Sequence, residues 1–199
     1  MLGGRLRSQI CCERCNYKSD TFDETFTFNL PLPKGNPCTF GDALNQLCSV
    51  DLLNKDNKYL CPVCKSKQNA TKRFSVNQAP RILIVTIKRF DIFGRKISKR
   101  IKYPASFNMK KLMDTSHDKK KTEDQCYDLY GVVTHHGSST NCGHYVACCK
   151  SQSGSWFDCN DSYVSKIGES DALNREAYLL FYQKKIVASE VKVPTTTSV

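Results

Sequence analysis

Along residues 21–32, apolar and polar positions alternate. Phe22, Phe26, Phe28, Leu30 and Leu32 share one parity, and Thr, Asp and Asn fill the other. This predicts a half-buried strand of period 2, stopped by Pro31 and Pro33. The spacing then changes. Phe40, Ala43, Leu44, Leu47 and Cys48 recur at helical intervals, which predicts an amphipathic helix from Thr39 to about Leu52. Thr39 is its N-cap, and Asp42 three residues on completes an approximate capping box. From Arg81 to Phe90 the chain is nearly continuous β-branched and apolar sequence, read as a strand buried on both faces. Five further short strands are predicted over Asp128–His135, His144–Lys150, Ser155–Cys159, Tyr163–Lys166 and Tyr178–Gln183, most of them separated by Gly, Ser or Asn. One helix-bearing segment followed by many short strands gives an α+β fold in which antiparallel sheet dominates. There is no internal repeat.

Composition narrows the class. The chain has 199 residues, 40% hydrophobic and 25% charged, which is globular rather than disordered. No apolar run approaches the ~20 residues that a membrane-spanning helix needs. The basic stretch Met1–Arg7 has no apolar segment behind it and is not a signal peptide. The 12 cysteines therefore read as metal ligands, a nucleophile or small core residues of an intracellular chain, not as a disulfide framework. The formal net charge is +11, and Lys88–Lys121 concentrates it, with 12 Lys/Arg against 3 Asp/Glu. Within that segment, Lys110–Lys121, with Lys119, Lys120 and Lys121 at its end, is a candidate nuclear or nucleolar retention patch. Nucleus, nucleolus and cytoplasm all stay open. The last residues, 185–199, read as a disordered tail.

Cys12-Glu-Arg-Cys15 and Cys61-Pro-Val-Cys64 carry the clearest metal signal. Each C-x₂-C pair lets two thiolates reach one Zn²⁺ from a tight turn, and two pairs complete a tetrahedral site. The 45 residues between the pairs exceed the spacer of a compact ribbon, so the strand and helix above are inserted between two knuckles. Cys11 adjoins Cys12, but only Cys12 has the right spacing to Cys15.

A second constellation lies near the end. Gly137-Ser-Ser-Thr-Asn-Cys-Gly143 leads into a strand that opens with His144, and another strand runs to Asn160-Asp161. A hairpin between the strands brings Asp161 within reach of the imidazole, and such a carboxylate fixes the tautomer of a histidine that deprotonates a nucleophile. On spacing alone a structural histidine and a turn-capping aspartate are the commoner explanation of such a pair.

Gly143-His144-Tyr145, Trp156 and Asn160-Asp161 together resemble the histidine box of the ubiquitin-specific proteases. Leu129-Tyr-Gly-Val-Val-Thr-His135 before Gly137, the closing run Ala177–Tyr182 and the run from Pro80 to Lys88-Arg89-Phe90 are similar to strands of that family. Gly4-Arg-Leu-Arg-Ser-Gln-Ile with Cys12 and Cys15 resembles the start of its fingers region. The similarity runs from about Gly3 to Lys184. It implies a papain-like cysteine protease fold, in part: fingers over about 8–76, an antiparallel palm over 77–184, and the N-terminal thumb half missing. It implies a thiol protease that cleaves the isopeptide bond after the C-terminal glycine of ubiquitin, with ubiquitin and ubiquitinated proteins as partners. His144 is then the general base and acid, Asp161 orients it, and Asn160 backs it up or helps the oxyanion. Gly143 and Tyr145 border the substrate tail, as do the loops Asp91–Lys96 and Gly137–Gly143. Cys12, Cys15, Cys61 and Cys64 match the structural zinc ligands.

The family's nucleophile sits in a "GNTCFLNS"-like run, and these 199 residues contain none. The chain thus carries the His/Asp half of a triad, and the missing N-terminal half of the catalytic domain is an expected partner. Alone, it is expected to be inactive. Two other readings compete: a ubiquitin-binding module without catalysis, and a zinc-ribbon nucleic-acid binder suggested by the +11 charge. The Lys119–Lys121 run lacks interleaved aromatics, which weighs against the latter.

Overall fold

A computed structural model describes residues 2–33, 38–114 and 125–185. Two sheets divide the chain. The smaller has four strands in the order β2-β1-β7-β4, made from β1 (Gly4–Cys12), β2 (Lys18–Thr25), β4 (Val50–Leu53) and β7 (Ala70–Gln78). The larger runs β13-β12-β11-β10-β14-β8-β3, with β9 (Ser106–Asn108) pairing β10 off that path. Its strands are β3 (Thr27–Leu30), β8 (Ile82–Ile87), β10 (Cys126–Ser139), β11 (Cys142–Lys150), β12 (Trp156–Asn160), β13 (Tyr163–Ile167) and β14 (Ala177–Lys184). A hairpin of β5 (Tyr59–Cys61) and β6 (Ser66–Gln68) stands at the far end of the smaller sheet. Pairing between these strands is antiparallel except for β3 against β8. The α+β expectation with antiparallel sheet dominating holds.

The five C-terminal strands fall where the alternation places them. Helix α1 (Phe40–Leu47) starts at the predicted cap: the Asp42 amide donates to Thr39 Oγ1 at 3.1 Å, and Asp42 Oδ2 accepts from the Thr39 amide at 3.3 Å. Such a cap is worth about 1 kcal/mol. The helix ends five residues before its expected limit, because Val50–Leu53 is captured by the edge of β7. A second helix, α2 (Glu169–Leu173), has no sequence-level expectation behind it.

The strand expected over residues 21–32 is two strands in two sheets. It breaks at Phe26, so Phe22 and Phe26 are exposed while Phe28 and Leu30 enter the core. Period 2 marks a face but cannot say which sheet that face joins. β8 also corrects its expectation: Leu83, Val85 and Ile87 are buried, but Ile82, Ile84 and Thr86 are only half-buried. One face of this strand packs on the core and the other remains partly open.

The core lies on one side of the large sheet. Phe28, Leu30, Phe40, Leu44, Leu83, Val85, Ile87, Tyr127, Leu129, Trp156, Leu180 and Tyr182 belong to it. Although β3 and α1 lie within residues 8–76, β3 pairs into this sheet and α1 packs in its core, which Val76 of β7 also joins. Arg7 joins the two regions. Its guanidinium donates to Asp20 on β2 and, at 2.7 Å, to Asp114, whose amide in turn bonds Val76 on β7. The candidate retention run Lys119–Lys121 and the tail from 186 onward lie outside the described residues.

Candidate functional site

Two sites emerge, one at the end of the smaller sheet and one on the larger. The first is a thiol cluster. The Sγ atoms of Cys12, Cys15, Cys61 and Cys64 all lie within 4.8 Å of one another, and Cys15 and Cys61 are 3.6 Å apart. Both C-x₂-C turns are built alike. Asn16 donates its amide to the Cys12 carbonyl and Lys65 donates to that of Cys61; each of these residues, directly after the second cysteine, has a positive φ (58° and 53°). That left-handed kink turns the chain back so that both sulfurs of a pair face one point. Cys11, whose side chain is not in the cluster, alternates to the other side of β1.

These residues can hold a metal ion. A tetrahedral zinc with bonds of about 2.3 Å has sulfurs about 3.8 Å apart, which matches the Cys15–Cys61 separation. Desolvation opposes ionisation of Cys61, but the backbone N–H groups of Cys64 and Val63 outweigh it and bring that thiol down to about 7.

The second site is built on β10, β11 and β12. β11 pairs β12 with Ala147 opposite Cys159, so continuing the register sets Asn160 opposite Val146. Asn160 and His144 therefore share a face, two residues apart along β11. His144 Nε2 meets Asn160 Oδ1 at 2.6 Å. Asp161 Oδ2 is 3.8 Å from the same nitrogen, outside hydrogen-bond range. The expected carboxylate contact thus falls to the neighbouring amide. Asn160 is the last residue of the strand, whereas Asp161 has φ 51° in the turn to β13 and its side chain is 76% exposed. Since the Asn160 carbonyl oxygen can only accept, Nε2 carries the hydrogen and Nδ1 keeps a lone pair.

Beneath this face the glycines have a steric purpose. A Cβ on Gly143 would sit 2.1 Å from His135 Nε2, and one on Gly137 would sit 2.5 Å from the Cys142 carbonyl oxygen. His135 is buried, 4.9 Å ring to ring from Tyr145 and 5.4 Å from Phe90. Tyr145 pairs with His135 on the side of β11 opposite His144. In the sequence, His135 ends a predicted strand and is given no role. Alternation from Tyr127 and Leu129 does not find it: the burial pattern slips at Gly131-Val132, and Thr134 and His135 are both buried.

The two loops expected to border a substrate channel lie side by side. Lys96 donates its amide to the Ser138 carbonyl at 2.8 Å and Thr140 donates to that of Gly94 at 3.0 Å. Asp91 shapes the first loop, accepting from the amides of Phe93 and Arg95; these and the Arg95 guanidinium hold its carboxyl below the usual range. A further brace was also invisible in sequence. Arg89, 1% exposed, donates to the carbonyls of Ala177 and Lys99, and Glu176 takes both Arg89 and Lys96. Lys96 Nζ then reaches the His135 carbonyl at 2.5 Å.

A mostly antiparallel large sheet, a four-cysteine cluster at the end of a second sheet, and a histidine held by a strand-end asparagine beside two paired loops are the main features of the fold. The family model for ubiquitin carboxyl-terminal hydrolases matches residues 1–182. The chain belongs to that family, as a ubiquitin-specific protease. It is 36% identical over 195 residues to probable ubiquitin carboxyl-terminal hydrolase 16 of Schizosaccharomyces pombe, covering 95% of this chain and 40% of that protein. It is 35% identical to human ubiquitin carboxyl-terminal hydrolase 17-like protein 6, covering 93% and 45%. Among solved structures, the SAGA Ubp8/Sgf11/Sus1/Sgf73 DUB module bound to ubiquitin aldehyde contains a chain that matches with a TM-score of 0.80 at 32% identity, covering 94% of this chain and 42% of that one. The chain thus spans less than half the length of these relatives. Among the described residues, no helix is long and apolar enough to cross a membrane.

Proposed function

We propose that the chain supplies the histidine half of a cysteine-type deubiquitinase that cleaves the isopeptide bond after the C-terminal glycine of ubiquitin. The observation that carries this is the 2.6 Å contact between His144 Nε2 and Asn160 Oδ1, with Nδ1 left free. In this reading Nδ1 takes the proton of a cysteine thiol and the thiolate attacks the carbonyl carbon of the glycine. The imidazolium then gives that proton to the departing lysine amine. Asn160 fixes the ring, and Asp161, nearby and solvated, steadies the imidazolium electrostatically. Gly143 and Tyr145, with the paired loops, border the path of the ubiquitin tail. Zinc at Cys12, Cys15, Cys61 and Cys64 holds the fingers and takes no part in bond cleavage.

The nucleophile comes from outside these 199 residues, in a cysteine-bearing N-terminal segment such as the longer relatives have room for. The test is reconstitution with a fluorogenic ubiquitin C-terminal amide. The chain alone is expected to give no turnover. Adding the cysteine-bearing segment of a relative in trans should restore turnover, and a His144→Ala chain should abolish it. Robust turnover by the chain alone, or reconstituted turnover indifferent to His144, would overturn the proposal. Binding of ubiquitin without any restored turnover would favour the second reading, a ubiquitin-binding module.

A further inference from the structure

Beside the thiol cluster, the residues between and around its cysteines form a feature that the hydrolase reading leaves unused. Between the first knuckle and the β5–β6 hairpin lies an open cleft of about 280 Å³, lined by Glu13, Arg14, Lys58, Lys67, Gln68 and Asn69. Its geometry is set from both sides. Arg14 sits inside the Cys12–Cys15 turn, and the Glu13 amide bonds the Asn69 carbonyl at 3.0 Å, closing the floor. Across it, Tyr59 pairs Gln68 and Leu60 pairs Lys67, so Lys58 and Lys67 fall on one face of the hairpin as diagonal neighbours. Three cations are thus brought together by rigid turns.

None of the three is neutralised. Among the described residues, Arg14, Lys58 and Lys67 have neither an ion pair nor a side-chain hydrogen bond, although Glu13 lines the same cleft. The surroundings add to the charge: residues 13–18 and 55–72 hold seven basic and two acidic side chains. Like charges held close without a counter-charge repel, and a concave wall concentrates their field. An incoming anion relieves both.

We propose that this fingertip cleft binds an acidic segment of a partner protein, a short run of Asp and Glu side chains. Its form favours carboxylates over phosphates. Only Arg14 offers the planar fork that grips a phosphate, while the two lysines are point charges spread along an open rim. No aromatic side chain lines the cleft, so it has no platform on which nucleic-acid bases stack. Carboxylates spaced along an extended peptide match separate cations better than one compact anion does. The inference does not depend on the chemistry of His144.

The test uses the zinc-loaded chain and a fluorescent oligoglutamate peptide, read by anisotropy at low salt. Binding is expected, weakening steeply as salt rises, with no binding of an oligoglutamine twin. Reversing Arg14, Lys58 and Lys67 to Glu should weaken it by at least about tenfold. Reversing Lys110, Lys111 and Lys166, which changes the net charge equally, should leave it within about twofold. Zinc content reports whether the fingertip variant stays folded. On the unmodified chain, peptide-induced amide shifts should centre on Arg14, Lys58 and Lys67 whatever the variant does. Equal weakening by both triple variants, shifts centred elsewhere, or displacement of the peptide by pyrophosphate or single-stranded RNA at lower concentration would overturn the proposal.

Discussion

The cysteine cluster and the histidine face are built on opposite plans. At the cluster, all four thiols belong to this chain, Cys12 and Cys61 are buried, and two like-handed turns bring the sulfurs together. As a donor set it is complete, although Cys15 is exposed. At the histidine face, the His144 side chain is 47% exposed, one ring nitrogen is engaged and the other is open. Completeness at the cluster suits a site whose work is to hold the fold. Openness at His144 suits a site whose work begins when something else arrives. Exposed polar residues alone would not establish this. The brace under His144 is consistent with that reading, with Gly143 against His135, Lys96 on the His135 carbonyl, and Arg89 and Glu176 behind.

The contrast can be broken most strongly at the cluster. Metal removal, or Cys12→Ser with Cys61→Ser, withdraws a binding free energy on the order of 10 kcal/mol from the fold. Hydrogen exchange should then show β5, β6 and the adjoining ends of β1 and β7 losing protection, while β10, β11 and β14 keep theirs. Equal loss in both sheets would mean the two regions are one cooperative unit and would remove the contrast.

A smaller effect is expected under the histidine. Gly143→Ala drives a methyl into the His135 ring and should cost about 1–3 kcal/mol of unfolding free energy. Because the His135 ring is the nearest obstacle, with the His136 carbonyl oxygen at 2.8 Å behind it, the cost should shrink in part in a His135→Ala background. Denaturant titrations of the two single variants and the double variant check this cycle. A strictly additive double variant would mean that His135 is not what the glycine makes room for.

The smallest change in stability, below about 1 kcal/mol, is expected for Asn160→Ala, because the contact is largely in solvent. Its signature is chemical: ring ¹⁵N shifts should show the neutral His144 ring relaxing from a fixed Nε2–H tautomer toward the mixture of a free histidine. Asp161→Asn should leave that tautomer in place. A tautomer that follows Asp161 and not Asn160 would reverse the roles assigned here.

Much of this was legible in the sequence. The capping box at Thr39 and Asp42, the two C-x₂-C turns, the late run of alternating strands and the His144 region are all local patterns, and local sterics and hydrogen bonds decide them. What was not legible depends on partners far along the chain. Residues 21–32 read as one strand because alternation is blind to a change of sheet, and only pairing with β1 on one side of Phe26 and β8 on the other divides them. Val50–Leu53 continued the helix in sequence because β7, some twenty residues later, is what pulls it into a sheet edge.

The sequence by itself determined the donor types and their spacing: four cysteines in two turns, a histidine after a glycine-bounded loop, an Asn-Asp pair at a strand end. Tertiary structure alone decided which of those two meets the imidazole. The β11–β12 register points Asn160 at His144, and the left-handed turn at residue 161 directs the aspartate to solvent. Adjacent positions in a strand face opposite ways, so a single residue of register separates the two outcomes. No local pattern in the chain carries that information.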